Sequence, residues 1–164
     1  MKKNKIVVLG LGNILNRDEG AGVFALRKLE AVVPEGWKQR MELIDGGVLG
    51  LDLLPYVEKA SRLLILDSVE VNGEPGEIFE FKNEQIKTFF TGKISWHQLG
   101  FQEVLEVAKV RGNFPQEVFL IGVVPGDTLI GFGLSPAVEK AIGKMTGRAL
   151  EVLSDWLKMS ADKT

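Results

Sequence analysis

Short apolar runs alternate with longer stretches of helical spacing along this chain. Residues 6–9 (IVVL) are wholly apolar, as expected of a strand buried on both faces of a parallel sheet. A turn follows at Gly10-Leu11-Gly12-Asn13. Residues 18–33 then carry Val23, Leu26 and Leu29 on one helical face until Pro34 ends the run. Asp18 and Glu19 stand where acidic side chains favour a helix N-terminus. Residues 41–44 predict a second strand closing on Asp45-Gly46-Gly47. Residues 51–60 predict a second helix with Pro55 inside it, and residues 62–66 a third strand ending at Asp67.

Beyond the turn Gly73-Glu74-Pro75-Gly76 the period changes. Phe79 and Phe81 alternate with Glu80 and Lys82, with Ile78 an apolar exception on the polar side. The link from the third strand is too short for a crossover helix, so residues 77–82 predict an antiparallel edge strand. Residues 83–96 are the least regular and include Phe89-Phe90, read as a small apolar cluster under a loop. Residues 99–110 are helical in spacing, and residues 117–124 form a fifth strand closed by Pro125. Ser135 and Pro136 suit the N-cap and first turn of a long C-terminal helix running to about residue 157, with a polar, frayed tail after it. There is no internal repeat and no linker. The expected fold is a single α/β domain over residues 1–164: a three-layer sandwich with a five-stranded, mostly parallel twisted sheet, one antiparallel edge strand and helices on both faces.

Composition narrows the chemistry. With 164 residues, 45% of them hydrophobic and 26% charged, the chain has the balance of an ordinary globular domain. A net charge of −2 offers no electrostatic footprint for nucleic acid or an anionic membrane. The basic start Met1-Lys2-Lys3-Asn4-Lys5 resembles that of a signal peptide, but Gly10 and Gly12 break the apolar stretch behind it. No apolar run approaches the roughly 20 residues of a membrane span. The absence of cysteine excludes a disulfide framework and thiolate ligation and fits a reducing compartment, so the expected location is cytoplasmic.

One histidine, His97, must carry any imidazole chemistry. That excludes a two-histidine zinc helix and leaves one imidazole with carboxylates. Ligands of open α/β sheets collect outside the carboxyl ends of the strands, where strand order reverses. If the order begins 2-1-3, that crevice lies between strands one and three. Glu19 and Asp67 then meet there, and His97, opening a helix after the edge strand, can reach the same rim. Each residue also has a purely structural reading: Glu19 at a helix dipole, Asp67 as a turn residue, His97 as a cap. Gly10-Leu11-Gly12 resembles a dinucleotide turn, with Asp45 as its ribose-binding acid, but Leu15 stands where the third glycine belongs. Ser95 lies two residues from His97, yet no nucleophile-elbow sequence surrounds it. One imidazole nitrogen and two carboxylates form a mixed set suited to zinc, nickel, manganese or iron. Three protein ligands would leave positions open for reaction.

Several blocks resemble one family. Residues 8–15 (VLGLGNIL) with residues 17–23 (RDEGAGV), Ile44-Asp45-Gly46-Gly47 and Leu64-Ile65-Leu66-Asp67 resemble the motifs of nickel-iron hydrogenase maturation endopeptidases. So do Lys93-Ile94-Ser95 with His97-Gln98-Leu99-Gly100, and residues 121–125 (IGVVP) with Gly133-Leu134-Ser135-Pro136. The blocks stand in the family's order and span nearly the whole chain. The resemblance implies a monomeric endopeptidase that removes the C-terminal extension of a hydrogenase large-subunit precursor after nickel insertion. It places metal contact on Glu19, Asp67 and His97, with Ni2+ carried by the substrate and other divalent metals able to substitute in the isolated protein, and ties Asp45 to activity. Two mechanisms fit. In one, the metal polarises the carbonyl or a water; in the other, Asp45 or Asp67 is a general base and nickel only positions the substrate. The rival functions are a non-catalytic nickel-handling chaperone and a nucleotide-binding module.

Overall fold

The computed structural model describes residues 4–86 and 96–162, with the backbone alone for residues 96–99. Five strands, β1 (Ile6–Leu11), β2 (Met41–Gly47), β3 (Arg62–Ser68), β4 (Ile78–Lys82) and β5 (Glu117–Val123), form one sheet in the order β2-β1-β3-β5-β4. All neighbours pair in parallel except β4, which runs antiparallel to β5 along one edge. The expected sandwich is therefore the observed one, and strand order reverses between β1 and β3.

Residues of β1 and β3 alternate between two apolar clusters. Ile6, Val8, Leu64 and Leu66 pack beneath α1 (Ala21–Val32) and the long α5 (Pro136–Ala161), against Leu29, Met145, Leu153 and Trp156. Val7, Leu9, Leu63 and Ile65 pack on the opposite face, beneath α3 (Leu54–Lys59) and α4 (Trp96–Val110), against Val57, Phe101 and Val104. Because both alternating sets are covered, the strands read as unbroken apolar runs. On β4 the exception explains itself: Phe79 and Phe81 pack on the α4 face and Ile78 on the α5 face.

Element ends moved where the backbone outran the apolar pattern. β1, β2 and β3 extend past Leu9, Ile44 and Leu66 because their parallel ladders continue through glycine and aspartate. The segment expected to start a helix at Asp18 is a 3-10 turn, Arg17–Gly20, and α1 begins after it. The second helix is likewise split into a 3-10 turn, Gly50–Leu53, and α3, whose first turn takes Pro55. A helical turn not expected from the pattern, α2 (Glu35–Lys38), precedes β2. α4 starts earlier than expected and α5 ends later, at Ala161. Phe89-Phe90 and Ser95 lie outside the described residues.

Two ties fix the layers that carry the site. The buried Arg62 guanidinium, at the start of β3, pairs with Glu117 at 3.3 Å and donates to Ser160 Oγ at 3.0 Å and to the Trp156 carbonyl at 3.3 Å on α5. At the other end of the sheet, α1 presses onto the strand ends at Gly22. A Cβ there would stand 2.1 Å from the Leu66 carbonyl oxygen and 2.4 Å from that of Leu11. Backbone on both sides leaves nothing to yield cheaply. Gly22→Ala is therefore expected to lower unfolding free energy by about 1–3 kcal/mol; a denaturation midpoint equal to wild type would contradict this contact.

Candidate functional site

The carboxyl ends of β1 and β3 form the floor of the site. Gly10 of β1 pairs with Asp45 of β2 on one side and with Leu66 of β3 on the other. Asp67 follows Leu66 and is fully buried. Alternation with Leu63 and Ile65 puts it on the α3/α4 face, and one of its oxygens accepts the Ser68 N–H at 2.8 Å. Asp45 has the opposite parity. It is exposed, lies on the α1 face, and its Oδ2 sits 3.5 Å from Arg27 Nη2 of α1. The sheet thus separates the two aspartates by a layer of backbone and by two strand steps, about 10 Å.

Glu19 is carried by the 3-10 turn Arg17–Gly20, laid across the end of β1 and against β3. The approach is possible only because residue 12 is glycine. Its φ is +123°, and a Cβ there would stand 1.7 Å from the Glu19 carbonyl oxygen. Glu19 is half-buried at the β1/β3 switch point. His97 lies in the first turn of α4. That helix packs against the Gly50–Leu53 turn, and a Cβ on Gly100 would stand 3.7 Å from Gly50 Cα. The start of α4 therefore sits at the carboxyl edge, on the same face as Asp67, while the His97 imidazole lies outside the described residues. Glu19, Asp67 and the start of α4 share one edge of the sheet; Asp45 stands at that edge on the other face. Among the described residues no three acidic or histidine side chains already form a metal cluster.

A functional residue hidden from the sequence is Asp18. Expected merely to favour a helix start, it is fully buried. Its Oδ2 accepts the N–H groups of Gly126 and Asp127, each at 2.8 Å, and the Ser135 hydroxyl at 2.6 Å, while Oδ1 accepts the Ser135 N–H at 2.7 Å. The Ser135 hydroxyl thus serves Asp18 and not the helix it precedes, although Ser135 occupies the N-cap position as expected. Ladder-like bonds extend the hold: Asp18 N–H to the Asp127 carbonyl at 3.0 Å, Arg17 N–H to Gly131 at 3.2 Å, and Gly131 N–H to Leu15 at 2.8 Å. The loop between β5 and α5 is in this way fastened to the turn that carries Glu19. No local signal exposes this role, since Asp18 and Ser135 are far apart in the chain. The paired blocks around them are the only trace.

Burial opposes the Asp18 charge, but the Ser135 hydroxyl and the three backbone N–H groups together outweigh it and hold its pKa below the usual carboxylate value. A depressed folded-state pKa contributes stability that is complete above the unfolded value, about 4, and is lost as pH falls through the folded one. Asp18→Asn would remove the charge and turn an N–H2 toward donors. We expect it to be less stable than wild type by about 2 kcal/mol at neutral pH. Urea titrations should show the gap holding down to about pH 4 and closing below it; a pH-independent gap would refute the charged clamp.

A model of the hydrogenase maturation protease family matches residues 26–152, a span that includes Asp45, Asp67 and His97 and begins after Glu19. The chain is 36% identical over 154 residues to the hydrogenase 2 maturation protease of Escherichia coli K12, covering 92% of this chain and 92% of the relative. It is 39% identical over 158 residues to the hydrogenase expression/formation protein HupD of Bradyrhizobium diazoefficiens, covering 93% of this chain and 80% of the relative. The hydrogenase maturating endopeptidase HybD from E. coli superposes with a TM-score of 0.85 at 36% identity, over 92% of this chain and 93% of that one.

Proposed function

This chain belongs to the hydrogenase maturation protease family, and from that footing we propose that it is an endopeptidase acting on a nickel-iron hydrogenase large-subunit precursor. It removes the C-terminal extension once nickel has been inserted. In this reading the nickel arrives as part of the substrate, and Glu19, Asp67 and His97 complete its coordination. Two carboxylates and one imidazole are a donor set that suits a borderline divalent ion such as nickel. The observation that carries the reading is Asp67: a wholly buried carboxylate ending β3, beside the turn of Glu19 and on the face where α4 begins.

The placement of Asp45 bears on mechanism. Paired-carboxylate hydrolysis needs two acids within reach of one water, and Asp45 and Asp67 stand on opposite faces of the sheet. We favour the scheme in which the substrate's own nickel polarises the scissile carbonyl or the attacking water, with Glu19 and Asp67 fixing its position, because these two share the edge while Asp45, the other candidate base, stands across the sheet and is engaged by Arg27. The water oxygen adds to the carbonyl carbon, the C–N bond breaks, and the departing amine takes a proton. Asp45, itself 3.5 Å from Arg27, lines a depression of about 330 Å3 bounded by Gly12, Leu15, Val23 and Val48, where it can orient the segment to be cut.

Among the described residues no helix is long and apolar enough to cross a membrane. We place the reaction in the cytoplasm, with the protease acting as a monomer and without nucleic acid. The deciding experiment incubates purified protein with precursor carrying or lacking nickel and weighs the precursor's C-terminus. Shortening only of the nickel form is expected, and cleavage of nickel-free precursor at the same rate would overturn the proposal. Glu19→Gln and His97→Ala should melt like wild type yet process at least about a hundredfold more slowly; wild-type rates would remove those residues from the site.

A further inference from the structure

The loop between β5 and α5 carries three of the most exposed large hydrophobic side chains among the described residues: Leu129 at 74%, Ile130 at 88% and Phe132 at 79%. Isolated exposed hydrophobics need no explanation, but three within four residues do. The loop is not loose. Asp18 grips both of its ends, at Gly126, Asp127 and Ser135. Its middle is bridged to the β1–α1 segment at Asn16 and Gly131, its Asp127 side chain accepts the Leu129 N–H at 3.0 Å, and Arg17 pairs with Asp127 at 3.5 Å. The chain therefore holds apolar side chains out into water on a backbone fixed by a buried carboxylate.

Position says what the loop meets. The Gly131 N–H bonds the carbonyl of half-exposed Leu15, and Leu15 lines the depression that holds Asp45. Glu19 is the residue after Asp18 in the same turn. The apolar surface is thus continuous with the edge at which the substrate must bind. The side chains protrude, so an extended peptide laid over them would cover little of each, whereas a recessed face of a folded protein would cover all three. The charges beside them are already paired as Arg17 and Asp127, so the contact is apolar in character.

We propose that residues 126–134 form a preformed docking arm for the folded body of the large-subunit precursor, with Leu129, Ile130 and Phe132 seated in an apolar recess on that protein. The inference rests on the substrate class proposed above and adds a contact remote from the cut. Preorganisation by Asp18 spares the complex the ordering of a mobile loop on binding.

The test is a Leu129→Ser, Ile130→Ser, Phe132→Ser triple variant, with Val110→Ser, an equally exposed residue at the far end of α4, as control. Two quantities are read: the Kd for immobilised nickel-loaded precursor, and KM and kcat for its processing. The triple variant should raise Kd and KM about tenfold or more with kcat within about twofold, while the control matches wild type. Equal Kd for wild type and triple variant overturns the arm. So does a fall in kcat at unchanged KM, or a sedimentation result in which wild type is a dimer that the triple variant breaks, with Kd for precursor unaltered. A wild-type protein that binds precursor and never cuts it would reject the peptidase reading and still leave Kd to judge the arm.

Discussion

The site exists because backbone can touch backbone where the sheet changes direction. Two glycines, Gly12 and Gly22, let the β1–α1 connection lie directly on the carboxyl ends of β1 and β3. With any Cβ at either place, the turn of Glu19 or the start of α1 would be pushed off the edge, because the nearest atoms are the backbone carbonyls of Glu19, Leu66 and Leu11. Open α/β sheets bind at such switch points because two crossovers leave in opposite directions and open a crevice. Here the crevice is narrowed by the absence of side chains and then lined by acids.

Much of this was legible in the residues themselves. The wholly apolar run in β1 announced a strand covered on both faces, and the apolar runs of β3 and β5 announced strands. The alternation of Phe79 and Phe81 with charge announced the antiparallel edge, and the observed order of strands two, one and three is the one on which the meeting of Glu19 and Asp67 was conditional. The structure sets Glu19, Asp67 and the helix start bearing His97 along one edge, as that order required. The places where the pattern misled have local causes. A 3-10 turn has too few residues to show a period, so Asp18 to Gly20, inside the turn Arg17–Gly20, read as the start of the helix. Gly50, at φ +56°, and Pro55 delayed α3 in the same way. Which face Asp45 takes, and what Asp18 binds, depend on partners such as Arg27 and Ser135 that no spacing rule connects.

Two adjacent acids in one short turn have opposite tasks. Asp18 points into the protein and is saturated with donors, whereas Glu19 stays half-exposed at the edge. Asp45 and Asp67 repeat the division across the sheet, one paired with a cation in solvent and the other buried. Surroundings thus sort these acids: backbone N–H groups and a hydroxyl hold Asp18, whereas Asp45 is met by the Arg27 cation.

The hold that Asp18 exerts falls mainly on main-chain groups, at Gly126, Asp127 and Ser135. Main-chain N–H groups are the same whatever residues bear them. Side chains between the anchor points are accordingly free to diverge while the loop keeps its shape, as variable loops do on an immunoglobulin scaffold. In the docking reading proposed above, members of the family would meet different clients by rewriting a handful of positions in residues 126–134, without disturbing the edge that carries Glu19 and Asp67.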